Sequence, residues 1–146
     1  MVRTKEDADH SLPYMLAVAL IDGEVQPEQY EPERIAAADV QGLLQRVTVT
    51  LVPELSARFP QHLPAELEVE LDDGMVHRAA RDDYRGFHTN PFDWTVARAK
   101  FDRMAGNFTD IAERDAIANV VATLDERPIS DLTQLLGAIG VHIAAA

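Results

Sequence analysis

The sequence predicts an α+β fold, with a short antiparallel sheet set between a buried N-terminal helix and three amphipathic C-terminal helices. Three observations carry that prediction. Leu12 to Ile21 is apolar apart from the Tyr14 hydroxyl. Glu66-Leu-Glu-Val-Glu-Leu71 alternates strictly ahead of Asp73-Gly74, and from Trp94 onward apolar residues recur at i, i+3, i+4 and i+7. Helix, then strands, then helices is not the alternation that builds a parallel sheet.

A helix that is apolar all round has to be buried on every side. The run at Leu12–Ile21 is far short of the ~20 residues that cross a bilayer. Asp9, His10 and Ser11 are available to cap it, Pro13 suits its first turn, and Asp22-Gly23 provides the stop. Pro27 and Pro32 break the next stretch into loop or a single turn. Glu33 to Leu44 reads as one or two short helices, with Asp39 as a cap. Val47, Val49 and Leu51 then alternate with Thr48 and Thr50, predicting a half-buried strand at about 46–51 that Pro53 ends. Glu54 to Phe59 has the character of one helical turn.

Strands are expected at about 66–72 and 75–81, with Leu67, Val69 and Leu71 in the core and Glu66, Glu68 and Glu70 outside. With Asp73-Gly74 as a two-residue loop, Leu71 pairs with Val76 and Glu70 faces His77. Asp82 to Pro91 has no period and reads as loop. In the first C-terminal helix Trp94, Ala97, Phe101 and Met104 share a face, capped by Asp93. Ile117, Val120, Val121 and Leu124 mark the second, with Thr109 as a candidate cap; Leu132, Leu135, Leu136 and Ile139 mark the third, after Ser130. One domain spans residues 1–146, with an α+β portion to residue 92 and a helical portion from 93 to 146.

A net charge of −12 argues against a nucleic-acid surface, which needs clustered Lys and Arg, and against an anionic membrane. With no cysteine, disulfides, thiolate metal sites and a cysteine nucleophile are excluded. Acidic residues, not a basic segment, precede the apolar run, so no signal peptide is read and the expected location is cytoplasmic. No two histidines have the spacing of a local metal site, and neither a metal nor a cofactor is expected. No glycine-rich phosphate loop or nucleophile elbow is present.

The polar residues divide between structural and functional readings. His10 and Ser11 stand where a helix N-terminus favours anions, but both also suit simple capping. Tyr14 could bond a substrate carboxylate, or a backbone group inside the core. Asp72-Asp73 and Asp82-Asp83 read as solvated turn formers. Arg81 and Arg85 flank the Gly86 loop, and guanidinium groups there could clamp a di- or tricarboxylate. No complete catalytic set is recognisable.

Two blocks carry a resemblance: Asp7-Ala-Asp-His-Ser-Leu-Pro-Tyr-Met-Leu-Ala-Val-Ala-Leu-Ile-Asp-Gly23, and Asp83-Tyr-Arg-Gly-Phe-His-Thr-Asn-Pro-Phe-Asp-Trp94 followed by Lys100-Phe101. In this order and separation they resemble the C-terminal domain of the 2-methylcitrate dehydratase (MmgE/PrpD) family. The resemblance spans essentially the whole chain but only about the last third of a full family member. It implies a small lid packed on a large helical domain, lyase chemistry on a small polycarboxylate, and a link to propionate metabolism. It further implies that the principal acid–base residues belong to that helical domain. The chain is then expected to need a helical-domain partner, or to form a homo-oligomer, and to be inactive alone. His10, Ser11, Tyr14, Arg81 and Arg85 are the candidate substrate contacts, with catalytic residues unassigned. The alternative is a stand-alone, non-catalytic, self-associating domain left as a gene remnant.

Overall fold

Local capping and helix-forming stretches shape the first half of the chain, as seen in the computed structural model, which describes residues 2–143 and side chains to Ile139. The chain separates into two compact units, Met1–Phe59 and Pro60–Ala146. In the first, α1 (Lys5–Asp9) opens on a capping box in which Thr4 and Asp7 satisfy each other's backbone N–H groups. The apolar run forms α2 (Leu12–Asp22): Ser11 Oγ accepts the Tyr14 N–H, Pro13 sits in the first turn, and Gly23 closes the helix at φ 78°. Short helices α3 (Pro32–Ile35), α4 (Ala38–Leu44) and α5 (Pro53–Ser56) follow. Arg34 ties the end of α2 to the start of α4, reaching Asp22 at 2.6 Å and Asp39 at 2.9 Å.

Val2, Ala8, Tyr14, Ala17, Val18, Ile35 and Val40 form the core of this unit. The expectation that α2 is buried on every side fails. Tyr14, Ala17 and Val18 are covered, but Leu12 and Leu20 on the opposite stripe are 47% and 48% exposed. The helices of this unit pack on one side of α2 and supply nothing for the other.

The strand expected at 46–51 is also absent: residues 47–51 carry no ladder pairing, and Val49 and Leu51 are exposed. Alternation specifies two faces, but a strand also needs an edge to take its backbone hydrogen bonds. The described residues of the first unit hold no other strand.

The second unit begins with the hairpin, β1 (Ala65–Glu70) and β2 (Val76–Arg81), paired antiparallel. Its register differs by one residue from the expected one. Val69, not Glu70, opposes His77, and Glu70 opposes Val76. The loop therefore holds three residues, Asp72, Asp73 and Gly74. The Gly74 N–H donates to Leu71, the Leu71 N–H donates to Met75, and Gly74 takes the left-handed φ of 81°. Asp-Gly suits this turn as well as the shorter one. Nor do Leu67, Val69 and Leu71 enter a core: the first two are half-buried and Leu71 is exposed. A two-stranded ribbon has two faces, and this one is left partly open.

Helices α6 (Trp94–Ala105), α7 (Ile111–Ala122) and α8 (Ile129–Ile143) complete the unit. Asp93 caps α6 as expected. The cap of α7 is Asp110, in a reciprocal box with Glu113, while the Thr109 hydroxyl donates back to Ala105. Arg98 bridges α6 and α7 by bonding Asp102 and Asp115. Ile117, Ala118 and Val120 are buried. Trp94, Phe101, Val121, Leu132 and Leu136 edge an apolar groove of about 340 Å³ among the three helices.

Candidate functional site

The stretch from Asp82 to Pro91, aperiodic in sequence, is an ordered turn. Its organiser is Asp83, whose side chain is 8% exposed. One carboxylate oxygen accepts the Leu63 N–H at 2.9 Å; the other accepts the Thr89 hydroxyl and lies 3.0 Å from His62 Nδ1. Desolvation would raise the Asp83 pKa, but the Thr89, His62 and Leu63 donors outweigh it and hold the group down at about 2. The solvated turn former expected here is instead a hub joining the chain before β1 to the loop after β2. Asp73 does behave as a turn former, accepting the Met75 N–H.

Inside the loop the Gly86 N–H donates to Asn90 at 2.7 Å and the Phe87 N–H to Tyr84 at 3.1 Å. Gly86 has φ 102°, and a Cβ there would lie 2.8 Å from the Phe92 ring. Only glycine meets both conditions without strain. The loop is closed at its base by Asp83 and Thr89 and pinned at its tip by Gly86 and Phe92.

That frame presents Arg81 and Arg85. Arg34, Arg78, Arg98, Arg114 and Arg127 are all held by acidic side chains. The Arg81 side chain donates to the carbonyl of Ala80, and neither Arg81 nor Arg85 has an ion-pair partner among the described residues. Both are exposed. In a chain of net charge −12, an arginine at the end of β2 and another in the ordered turn after it, neither with a carboxylate partner among the described residues, stand out.

The other sequence candidates lie in the first unit. Ser11 Oγ accepts the Tyr14 N–H as the cap of α2, and His10 Nδ1 lies 2.9 Å from the Glu6 carbonyl. Tyr14 is fully buried; its hydroxyl donates to the carbonyl of Gln29, and burial raises its pKa. That hydroxyl serves the fold and has no exposed surface to offer a ligand. His62 was not singled out from sequence at all. It lies 21 residues from Asp83, and only closure of the hairpin brings the two together.

Among the described residues no three His, Cys, Asp or Glu side chains cluster as a metal site, and no helix is long and apolar enough to cross a membrane.

Fold and loop together define a small α+β domain that displays Arg81 at the end of β2 and Arg85 on the ordered turn after it. A family model, the MmgE/PrpD C-terminal domain, matches residues 1–126, and the chain belongs to the MmgE/PrpD family. The match takes in α2, the hairpin, the Gly86 loop, α6 and α7; α8 lies beyond it.

Proposed function

We propose that this chain is the C-terminal domain of a dehydratase-like lyase of the cytoplasm that acts on a small polycarboxylate. It operates with a helical domain that carries the principal acid–base groups. The supporting observation is a pair of arginines without acidic partners among the described residues, Arg81 at the end of β2 and Arg85 in the ordered loop that follows, both inside the family-matched segment. Guanidinium binds carboxylate by paired, charge-assisted hydrogen bonds, and a loop already fixed loses little entropy on binding. His10 and Ser11, at the start of α2, are secondary candidates for the same substrate class.

The reaction is of the type that takes 2-methylcitrate to 2-methylaconitate and water. A base removes the proton next to a carboxylate, the C–H electrons form the C=C bond, and hydroxide leaves with a proton from an acid. Cations on the carboxylates stabilise the charge that develops. The chain's part in this reading is to hold carboxylates.

The test is co-expression with a helical-domain protein of the family and an assay of enoate absorbance with 2-methylcitrate and related acids. The chain alone is expected to be inactive and the pair active. Turnover by the pure chain, or none by any well-folded pair, would overturn the reading. The apolar groove edged by Trp94, Phe101 and Leu136 supports a second reading, a self-associating non-catalytic domain. For that, sedimentation should show an oligomer that persists in both low and high salt.

A further inference from the structure

We propose that His62 is a third polar contact of the carboxylate site flanked by Arg81 and Arg85, with Asp83 as the residue that positions it. This rests on the function proposed above and adds a side chain to it.

An ionised carboxylate only accepts hydrogen bonds, so the 3.0 Å contact between Asp83 and His62 fixes the proton on Nδ1. Nε2 is thereby the nitrogen left unbonded by Asp83. It has no partner among the described residues, and the His62 side chain is 39% exposed. No other histidine among the described residues is paired with a carboxylate; His10 faces a backbone carbonyl.

A clasp alone does not account for this arrangement. The base of the hairpin is already closed by the Leu63 N–H, which reaches both the Asp82 carbonyl at 3.1 Å and Asp83 at 2.9 Å. The Thr89 hydroxyl closes the loop side. His62 adds a third donor to a carboxylate that has two, and leaves its second nitrogen open.

Asp83 also separates two roles. Its oxygens are occupied by Leu63, Thr89 and His62, so it is not spent on Arg81 or Arg85, which stand two residues to either side. Once a second proton is bound, Nε2–H can donate to an anion while Nδ1–H stays on Asp83. Two guanidinium groups and an imidazole suit a ligand with two or three carboxylates, and a monocarboxylate would leave cations unmatched.

The experiment is an NMR titration of the whole chain with propane-1,2,3-tricarboxylate, an unreactive tricarboxylate, following the histidine ring and arginine side-chain signals. Saturable shifts at His62, Arg81 and Arg85 are expected. His62→Gln should weaken binding about tenfold or more, the loss of one charge-assisted hydrogen bond. His62→Asn keeps an amide donor for Asp83 but places nothing at the Nε2 position, so it should weaken binding as much while preserving the backbone spectrum of the loop. Saturable binding that leaves the His62 ring unmoved, full affinity in His62→Asn, or no binding at all would each overturn the proposal. The lyase reading is judged separately, by turnover of the pair with its helical partner, so the two can fail independently.

Discussion

Val18 and Leu20 lie two residues apart on α2, one fully buried and the other 48% exposed, and the pair measures how much of this helix the chain itself covers. Val18→Ala removes two methyl-sized groups at ~0.8 kcal/mol each and leaves a small cavity, for a loss of about 2 kcal/mol. Val18→Asp is harsher. An isolated carboxylate among Tyr14, Ile35 and Val40 costs several kcal/mol against a typical total of roughly 5–15, so the first unit should unfold. Leu20→Asp leaves its carboxylate in water and should cost under about 1 kcal/mol. Thermal and urea melts of the three variants, followed by circular dichroism, are the assay. For a unit of this size, 2 kcal/mol corresponds to a fall of about 10 °C in midpoint. A near-native midpoint for Val18→Asp would refute the assignment of the core to this face. A collapse of Leu20→Asp matching that of Val18→Asp would refute the open face, and would mean that a second copy covers it in solution.

Tyr14→Phe removes the only side-chain donor to the half-buried Gln29 carbonyl among the described residues, and should cost about 1–2 kcal/mol in the same melts with the helix content unchanged. Gly86→Ala forces a Cβ against Phe92 at a positive φ; a loss of about 1–3 kcal/mol and broadened loop signals are expected, and a stabilised variant would contradict the turn geometry. Acid should destabilise both units in the same direction. Asp83 is held down at about 2 by its donors, against about 3.9 in an unfolded chain, and Asp22 and Asp39 are lowered chiefly by Arg34. A depressed carboxylate contributes stability above its unfolded pKa and loses it as pH falls through the folded one. Midpoints should therefore hold at pH 5 and drop between about pH 4 and 2, with Asp83→Asn flattening the drop in the second unit.

What the sequence disclosed follows from the range of the interactions involved. Helix periodicity, the Ser11 and Asp93 caps and the left-handed Gly23 stop act within four residues, and each is readable from neighbours alone. The hairpin was legible for the same reason. Its register was not, because Asp73-Gly74 fits both a two- and a three-residue loop, and one residue decides whether His77 meets Glu70 or Val69. The segment Val47–Leu51 shows the opposite failure: its alternation is clean, but pairing is a property of a partner edge that the segment does not encode. His62 and Asp83 lie beyond any local pattern, since a whole hairpin separates them. An Asp-Asp pair beside a strand is usually solvated, and Asp83 departs from that pattern because residues 63 and 89 supply donors to its carboxylate.

Periodicity also says which side chains share a face without saying what covers it, and here that distinction matters for the biology. Hydrophobic content of 47% is ordinary, yet among the described residues the largest fully buried side chains are Tyr14, Val18, Ile35 and Val40, all in the first unit. In the second unit Trp94, Met104, Phe108, Ile111 and Leu136 are each about half exposed or more. A three-helix arrangement that buries little beyond Ile117, Ala118 and Val120 is weakly held by its own core. Ion pairs do not replace that core: those of Arg98 with Asp102 and Asp115 are partly exposed, and an exposed pair adds about 1 kcal/mol or less. The open side of α2 and the groove of α6, α7 and α8 are the apolar surfaces that the proposed function would bury against another domain or another copy. A chain built this way is expected to gain stability when it associates, which ties the proposed dependence on a helical domain to the same apolar surfaces that leave the isolated chain thinly packed.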